Sequence, residues 1–191
     1  MPAFKPVPDV IKKTALGLTT AAMISTVAFI GISTDRGAPM TAQFEGEVLG
    51  NYIDAVGVET WCIGETQLGR LEAGYTKKYC MDLFKSRYQT YSRQVYDCYD
   101  AKAKRYVTSA MHLAFTDVFY NAGANCKSGM IRFLKAGNPV AACNNILDWK
   151  RAGGKDCSIR SNGCYGVWDR RVKVHRLCIG DAQRIPSGGL Q

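Results

Sequence analysis

Residues 44–66 read FEGEVLGNYIDAVGVETWCIGET, and the parsing of this stretch decides the fold. Gly46, Gly50, Gly57 and Gly64, with Gly69 just beyond, punctuate short runs of β-branched and aromatic residues. That pattern predicts a small, turn-rich β-region over 45–69. The stretch also carries acids: Glu45, then eight residues, then Asp54, then five more before Thr60. Hydrolysis of a glycosidic bond needs a proton donor for the leaving oxygen and a carboxylate to orient or deprotonate the attacking water. A Glu at the end of one element and an Asp in a nearby hairpin can flank a sugar cleft, and a Thr hydroxyl can hold the water between them. Glu47 and Glu59 are rival carboxylates that spacing alone does not exclude. On the residues alone, two acids in a Gly-rich segment describe a solvated turn more often than an active site.

Beyond residue 69 the hydrophobic period changes. In 76–98, Tyr79, Leu83, Phe84, Tyr91 and Val95 recur at helical spacing, so one face is buried. Residues 105–121 and 128–136 also read as helices, the second stopped by Gly137. Asn138-Pro139 gives an N-cap followed by proline at the first helical position, opening a helix through about Lys150. Gly153-Gly154 and the loop CSIRSNGC separate it from a last helix over 167–179. The expected class is α+β, a small β-sheet region packed beside a helical bundle.

Upstream, residues 35–44 read as a short connector, and residues 14–34 hold 21 positions without a charge. As a helix that stretch spans about 31 Å, close to the apolar thickness of a bilayer. Lys5, Lys12 and Lys13 precede it and Asp35-Arg36 close it, which predicts a cytoplasmic N-terminus and an exported remainder. Thr, Ser, Gly and Ala fill 13 of the 21 positions, so insertion is marginal. The competing readings are a releasable anchor, a signal peptide cleaved near Ala38 or Ala42, and an ordinary buried helix. In each case one N-terminal apolar helix precedes the α+β domain.

The whole chain has 191 residues, 47% hydrophobic and 21% charged, which suits one globular domain with a short appendage. Its eight cysteines contain no C-x-x-C, and His112 and His175 stand alone. No zinc pattern results, and neither a metal nor a cofactor is expected. An even number of cysteines spread through one domain points instead to disulfides in an oxidising compartment. Of these, Cys157–Cys164 encloses a short hydrophilic turn. The net charge of +9 attracts nucleic acid, anionic lipid and anionic wall polymer alike. No run of Lys/Arg interleaved with exposed aromatics singles out nucleic acid, which is not among the expected partners.

The pattern E-x8-D-x5-T, with Tyr52, Gly57 and Gly64 in place, resembles the active-site signature of phage-type lysozymes (glycoside hydrolase family 24). YTKKYC (75–80) resembles that family's start of the helix after the hairpin. AFTDVFYNAGANC (114–126) resembles its core segment, with Phe119, Asn121 and Gly123. AACNNILDWKRAGGK (141–155) and GVWDRRVKVHRLC (166–178), with Arg170-Arg171, resemble its later helices. The resemblance spans about residues 42–180 and implies a lysozyme-like fold.

It implies Glu45 as general acid, Asp54 as the partner acting on the water and Thr60 as the water-positioning hydroxyl, with inversion at the anomeric carbon. The substrate implied is the β-1,4 bond after N-acetylmuramic acid in peptidoglycan. The family also contains weakly apolar signal-arrest-release segments that first tether an endolysin to the inner membrane. Residues 14–34 resemble one. The implied division is a membrane segment over 1–37 and a catalytic domain over 38–191. The implied course is tethering at the periplasmic face of the host inner membrane, then release into the periplasm as a monomer. The family also suggests a Cys98–Cys126 bridge, leaving the pairing of Cys62, Cys80, Cys143 and Cys178 open.

One departure is Glu65-Thr66 where the family usually carries His-Thr. A carboxylate added near Glu45 tends to raise that group's pKa. Tyr52 and Asn121 are candidate substrate contacts, although Asn121 and Gly123 also fit a capped turn beneath the cleft. Arg170 and Arg171 read as surface or carboxylate-pairing groups ahead of sugar ligands. Trp61, Trp149 and Trp168 read as core or interface, with sugar stacking the alternative for Trp61. Three functions remain open: a muramidase, a lytic transglycosylase on the same fold, and an inactive wall-binding or virion-associated module.

Overall fold

A computed structural model describes residues 18–185 except 47, 54–56 and 72–73, with side chains described from residue 28 onward. Helix α1 (Leu18–Glu45) runs unbroken through the expected connector. Gly37 and Pro39 weaken a helix there, yet tertiary packing holds it. Ile30, Ser33, Thr34, Ala38, Thr41 and Ala42 are all buried and repeat at the spacing of one helical face. The next position on that face is Glu45. Gly37 allows a close approach: a Cβ there would lie 2.1 Å from the Tyr88 hydroxyl.

Strands β1 (Val48–Ile53) and β2 (Glu59–Cys62) form the expected hairpin, with Tyr52 opposite Thr60 and Ile53 opposite Glu59. Helix α2 (Lys77–Asp97) is capped by the Thr76 hydroxyl and buries Cys80, Phe84, Tyr88, Ser92 and Val95. The buried stripe thus keeps Phe84 and Val95 of the expected set. Tyr79, Leu83 and Tyr91 flank it as half-buried groups.

The helix expected from 105 begins later. A short α3 (Ala101–Lys104), capped by Asp100, precedes α4 (Ser109–Ala122), which the Thr108 side chain caps. Two caps so close together specify two helices. α4 ends on Gly123 at φ +68°. Helices α5 (Gly129–Ala136) and α6 (Pro139–Asn144) follow, the latter capped by Asn138 as expected.

The α6 segment tightens to 3₁₀ over Asn145–Asp148 and stops short of Lys150. There the Trp149 carbonyl accepts Arg171 Nε at 2.9 Å, a bond that draws the chain out of the helix. A second hairpin, β3 (Arg151–Ala152) and β4 (Lys155–Asp156), turns on Gly153 and Gly154. Both glycines have positive φ, which a tight hairpin turn demands. The last helix, α7 (Tyr165–Ala182), is longer at both ends than expected.

The main core gathers around α4, where Met111, Phe115 and Val118 meet Met130, Ile131, Leu134 and Val174. A smaller cluster joins Trp61 and Ile63 of the hairpin region to Phe84 and Tyr88 of α2 and Ala38 of α1. Four disulfides use all eight cysteines: Cys62–Cys80, Cys98–Cys126, Cys143–Cys178 and Cys157–Cys164. Both suggested bridges are present, and the open four pair as hairpin to α2 and α6 to α7.

His112 is fully buried on α4 between the Ser92 hydroxyl (2.8 Å) and the Tyr99 hydroxyl (3.0 Å). The Phe29 ring of α1 covers it at 5.0 Å. Burial lowers its pKa to about 3 from 6.5. The unfolded chain therefore binds one more proton between those values, and stability is lost as pH falls through that window. The melting temperature should drop from pH 6.5 toward pH 4, and His112→Gln should flatten the slope. An unchanged slope in the variant would remove His112 from the acid response.

Candidate active site

The buried face of α1 ends by delivering Glu45 to the inner side of the hairpin. Its side chain is 20% exposed and its Oε1 accepts Arg170 Nη1 at 2.6 Å. The other oxygen faces the turn after β2: a Cβ added to Gly64 would lie 4.0 Å from Glu45 Oε2 and 3.9 Å from the Tyr120 hydroxyl. Gly64, at φ +69°, keeps that approach open. Tyr120 has a raised pKa, first through burial and next through the Glu45 charge. Phe44 adds an apolar floor against which the Arg170 guanidinium lies, 5.0 Å from the ring centre.

Tyr52 and Thr60 are opposed across the hairpin. Tyr52 is half-buried and Thr60 buried. The Thr60 hydroxyl donates to the Val58 carbonyl at 3.0 Å, so its oxygen is left as a hydrogen-bond acceptor. Asp54 and Glu47 lie outside the described residues. Glu59, the other rival, is exposed and paired with Arg70 at 2.8 Å. Trp61 is core, its indole donating to the Leu68 carbonyl at 2.9 Å.

Glu65 has a different task from the one its sequence position suggests. It is buried, accepts the backbone N–H groups of Thr66, Gln67 and Leu68 on Oε1, and pairs with Arg87 through Oε2. Its carboxylate ties the turn to α2, and no hydrogen bond joins it to Glu45 among the described residues.

The largest feature that sequence reasoning missed stands behind Glu45. Asp117 of α4 is fully buried. It accepts Arg170 through Nε (3.0 Å to Oδ2) and Nη2 (2.8 Å to Oδ1), Arg171 Nη1 at 3.4 Å, and the Thr41 hydroxyl at 2.9 Å. Arg171 also donates to Asn121 Oδ1. Arg170 and Arg171 are thus buried carboxylate-pairing groups rather than surface ones.

Burial opposes the Arg170 charge, but Asp117 and then Glu45 outweigh it and raise its pKa. For Arg171 burial wins, lowering its pKa to about 10. Asn121 is both a partner of Arg171 and, with Trp149, Arg151 and Asp148, a wall of an open recess of about 620 Å³. The available signal was the single acidic residue of a largely apolar helical run, four residues before Asn121 and hence on its face.

A phage lysozyme family model matches residues 42–173, more than half of the chain. The chain is 30% identical over 138 residues to the SAR-endolysin of Enterobacteria phage P21, covering 69% of this chain and 75% of that protein. It is 44% identical over 64 residues to the SAR-endolysin of Escherichia phage 933W, a span of 32% of this chain and only 36% of that relative's length. Among solved structures, the endolysin from Escherichia coli O157:H7 phage FAHEc1 superposes with a TM-score of 0.62 at 20% identity, covering 75% of this chain and 90% of that one. That likeness shares the arrangement of a small sheet beside a helical bundle. With the matched segment running from the end of α1 through the hairpin to the arginine pair of α7, the chain belongs to the phage lysozyme family.

Proposed function

We propose that the protein is an endolysin with N-acetylmuramidase activity, hydrolysing the β-1,4 bond between N-acetylmuramic acid and N-acetylglucosamine in peptidoglycan. The observation that carries this reading is the placement of Glu45. One carboxylate oxygen is held by Arg170 and the other is left toward the open turn at Gly64. Glu45 is the general acid: its proton goes to the glycosidic oxygen as the C–O bond breaks. Asp54 takes a proton from the attacking water, and Thr60 holds that water. Tyr52 and Asn121 contact the sugar chain. No metal or cofactor enters the scheme.

The names of the relatives support a second layer. We propose residues 1–37 as a signal-arrest-release segment and 38–191 as the catalytic domain, tethered to the host inner membrane through residues 14–34 and then freed into the periplasm as a monomer. Among the described residues no helix is long and apolar enough to cross a membrane, and residues 14–17 lie outside that description. The packed α1 corresponds to the freed form. There Phe29 packs on Tyr96 of α2 and His112 of α4, and Ile30, Ser33 and Thr34 are buried.

Mass spectrometry of muropeptides released by the purified protein tests the chemistry. Products gaining one water at the muramic acid reducing end are expected. Anhydro products would make the protein a transglycosylase, and no release would make it a wall-binding module.

A further inference from the structure

Behind Glu45 lie one acid, Asp117, and two arginines, Arg170 and Arg171, that almost no water reaches. The Nε and Nη2 edge of Arg170 is bound by both oxygens of Asp117, which fixes the plane of the guanidinium. Only Nη1 is left for Glu45. Thr41, one turn before Glu45 on α1, donates to the same Asp117 oxygen that Arg170 Nη2 uses. A single buried carboxylate therefore sets α1, α4 and α7 against one another at the point where Glu45 emerges.

Position is half of the requirement. A general acid must be protonated when substrate arrives, so the charges placed behind Glu45 matter as well as its position. Counting Glu45, Asp117, Arg170 and Arg171, the cluster is neutral with Glu45 ionised and carries one positive charge with Glu45 protonated. Without the Asp117 charge each total rises by one, and loss of the Glu45 proton becomes easier. We propose that Asp117 is a positioning and charge-balancing residue: it aims Arg170 at one oxygen of Glu45 and prevents the arginine pair from stripping that acid of its proton. The proposal rests on the reading of Glu45 as general acid.

Other titratable groups on the surrounding elements have partners of their own. Tyr120 on α4 is a neutral phenol whose proton burial retains. Tyr91 of α2 meets Tyr120 edge-on at 5.3 Å. Lys173 on α7 stands over Phe44 at 5.7 Å. Glu65 is engaged by backbone N–H groups and Arg87. None of them touches both arginines, as Asp117 does.

The test is the pH dependence of kcat/KM on soluble peptidoglycan fragments, whose high-pH limb follows the general acid of the free enzyme. Asp117→Asn keeps the shape and removes the charge. Its limb should move down by about one pH unit or more. Arg171→Gln removes a positive charge, so its limb should move up. The double variant should return close to the wild-type limb. Asp117 as a merely structural residue would instead lower activity at every pH with the limb unmoved, and that result overturns the proposal. So do shifts of the two single variants in the same direction. If Asp117→Asn does not fold, Arg171→Gln decides alone: with Asp117 then facing one arginine, an unmoved limb overturns the proposal. An active Glu45→Gln would defeat the general-acid reading itself, whereas an inactive one with unmoved limbs defeats only the role of Asp117.

Discussion

Glu45→Gln is expected to lower lytic turnover by about 10²- to 10⁴-fold, the usual contribution of a general acid, with little change in melting temperature. Glutamine retains a carbonyl oxygen for Arg170 Nη1, so the bond that anchors the end of α1 survives. What disappears is the proton delivered to the leaving oxygen. The comparison is informative because the neighbouring acids differ in placement. Glu59 is exposed and paired with Arg70, and Glu59→Gln should be mild, as should Glu47→Gln. Asp54→Asn should be severe, since the water then loses its proton acceptor. Turnover of Glu45→Gln within about tenfold of wild type would sink the assignment, whatever the other variants do.

A variant carrying leucine at Thr19, Thr20, Ser25 and Gly31 should remain in the membrane fraction and lyse cells late or not at all. Each change replaces a small or hydroxyl-bearing residue by one that favours the bilayer, and together they strengthen insertion by about 2–4 kcal/mol. Gly31 is a useful site because a Cβ there meets no atom within 4 Å. Lysis on schedule with the segment still inserted would show that tethering does not restrain the enzyme. A mature N-terminus beyond residue 38 would identify a cleaved signal instead. Cleavage there would also strip the buried Ile30, Ser33 and Thr34 from the domain.

The hairpin, α2, α5 and the capped start of α6 were legible because their signals are local: glycine punctuation, one helical stripe, Gly137 as a stop and Asn138 as a cap. The connector misread as irregular was not. Gly37 and Pro39 argue locally against a helix, and only the burial of Ala38, Thr41 and Ala42 against α2 and α4 overrides them. In the same way the 3₁₀ ending at Asp148 depends on Arg171, 22 residues away from the Trp149 carbonyl it binds. The motif offers Glu45, Tyr52 and Thr60 as candidates from spacing alone. Asp117 could not be found that way, because its meaning comes from side chains 53 and 54 residues further on and from Thr41, 76 residues earlier. Glu65 shows the converse: its position in the motif suggested electrostatic influence on Glu45, while its contacts make it a brace for its own turn.

All four disulfides lie beyond residue 61, so α1 is held in place only by noncovalent contacts. The rest of the bundle is closed by covalent links whether or not α1 is seated. In this respect α1 resembles an intramolecular ligand seated on a cross-linked receptor, where an effective concentration governs the contact. Because that ligand ends in Glu45, seating α1 and placing the proposed general acid are one event.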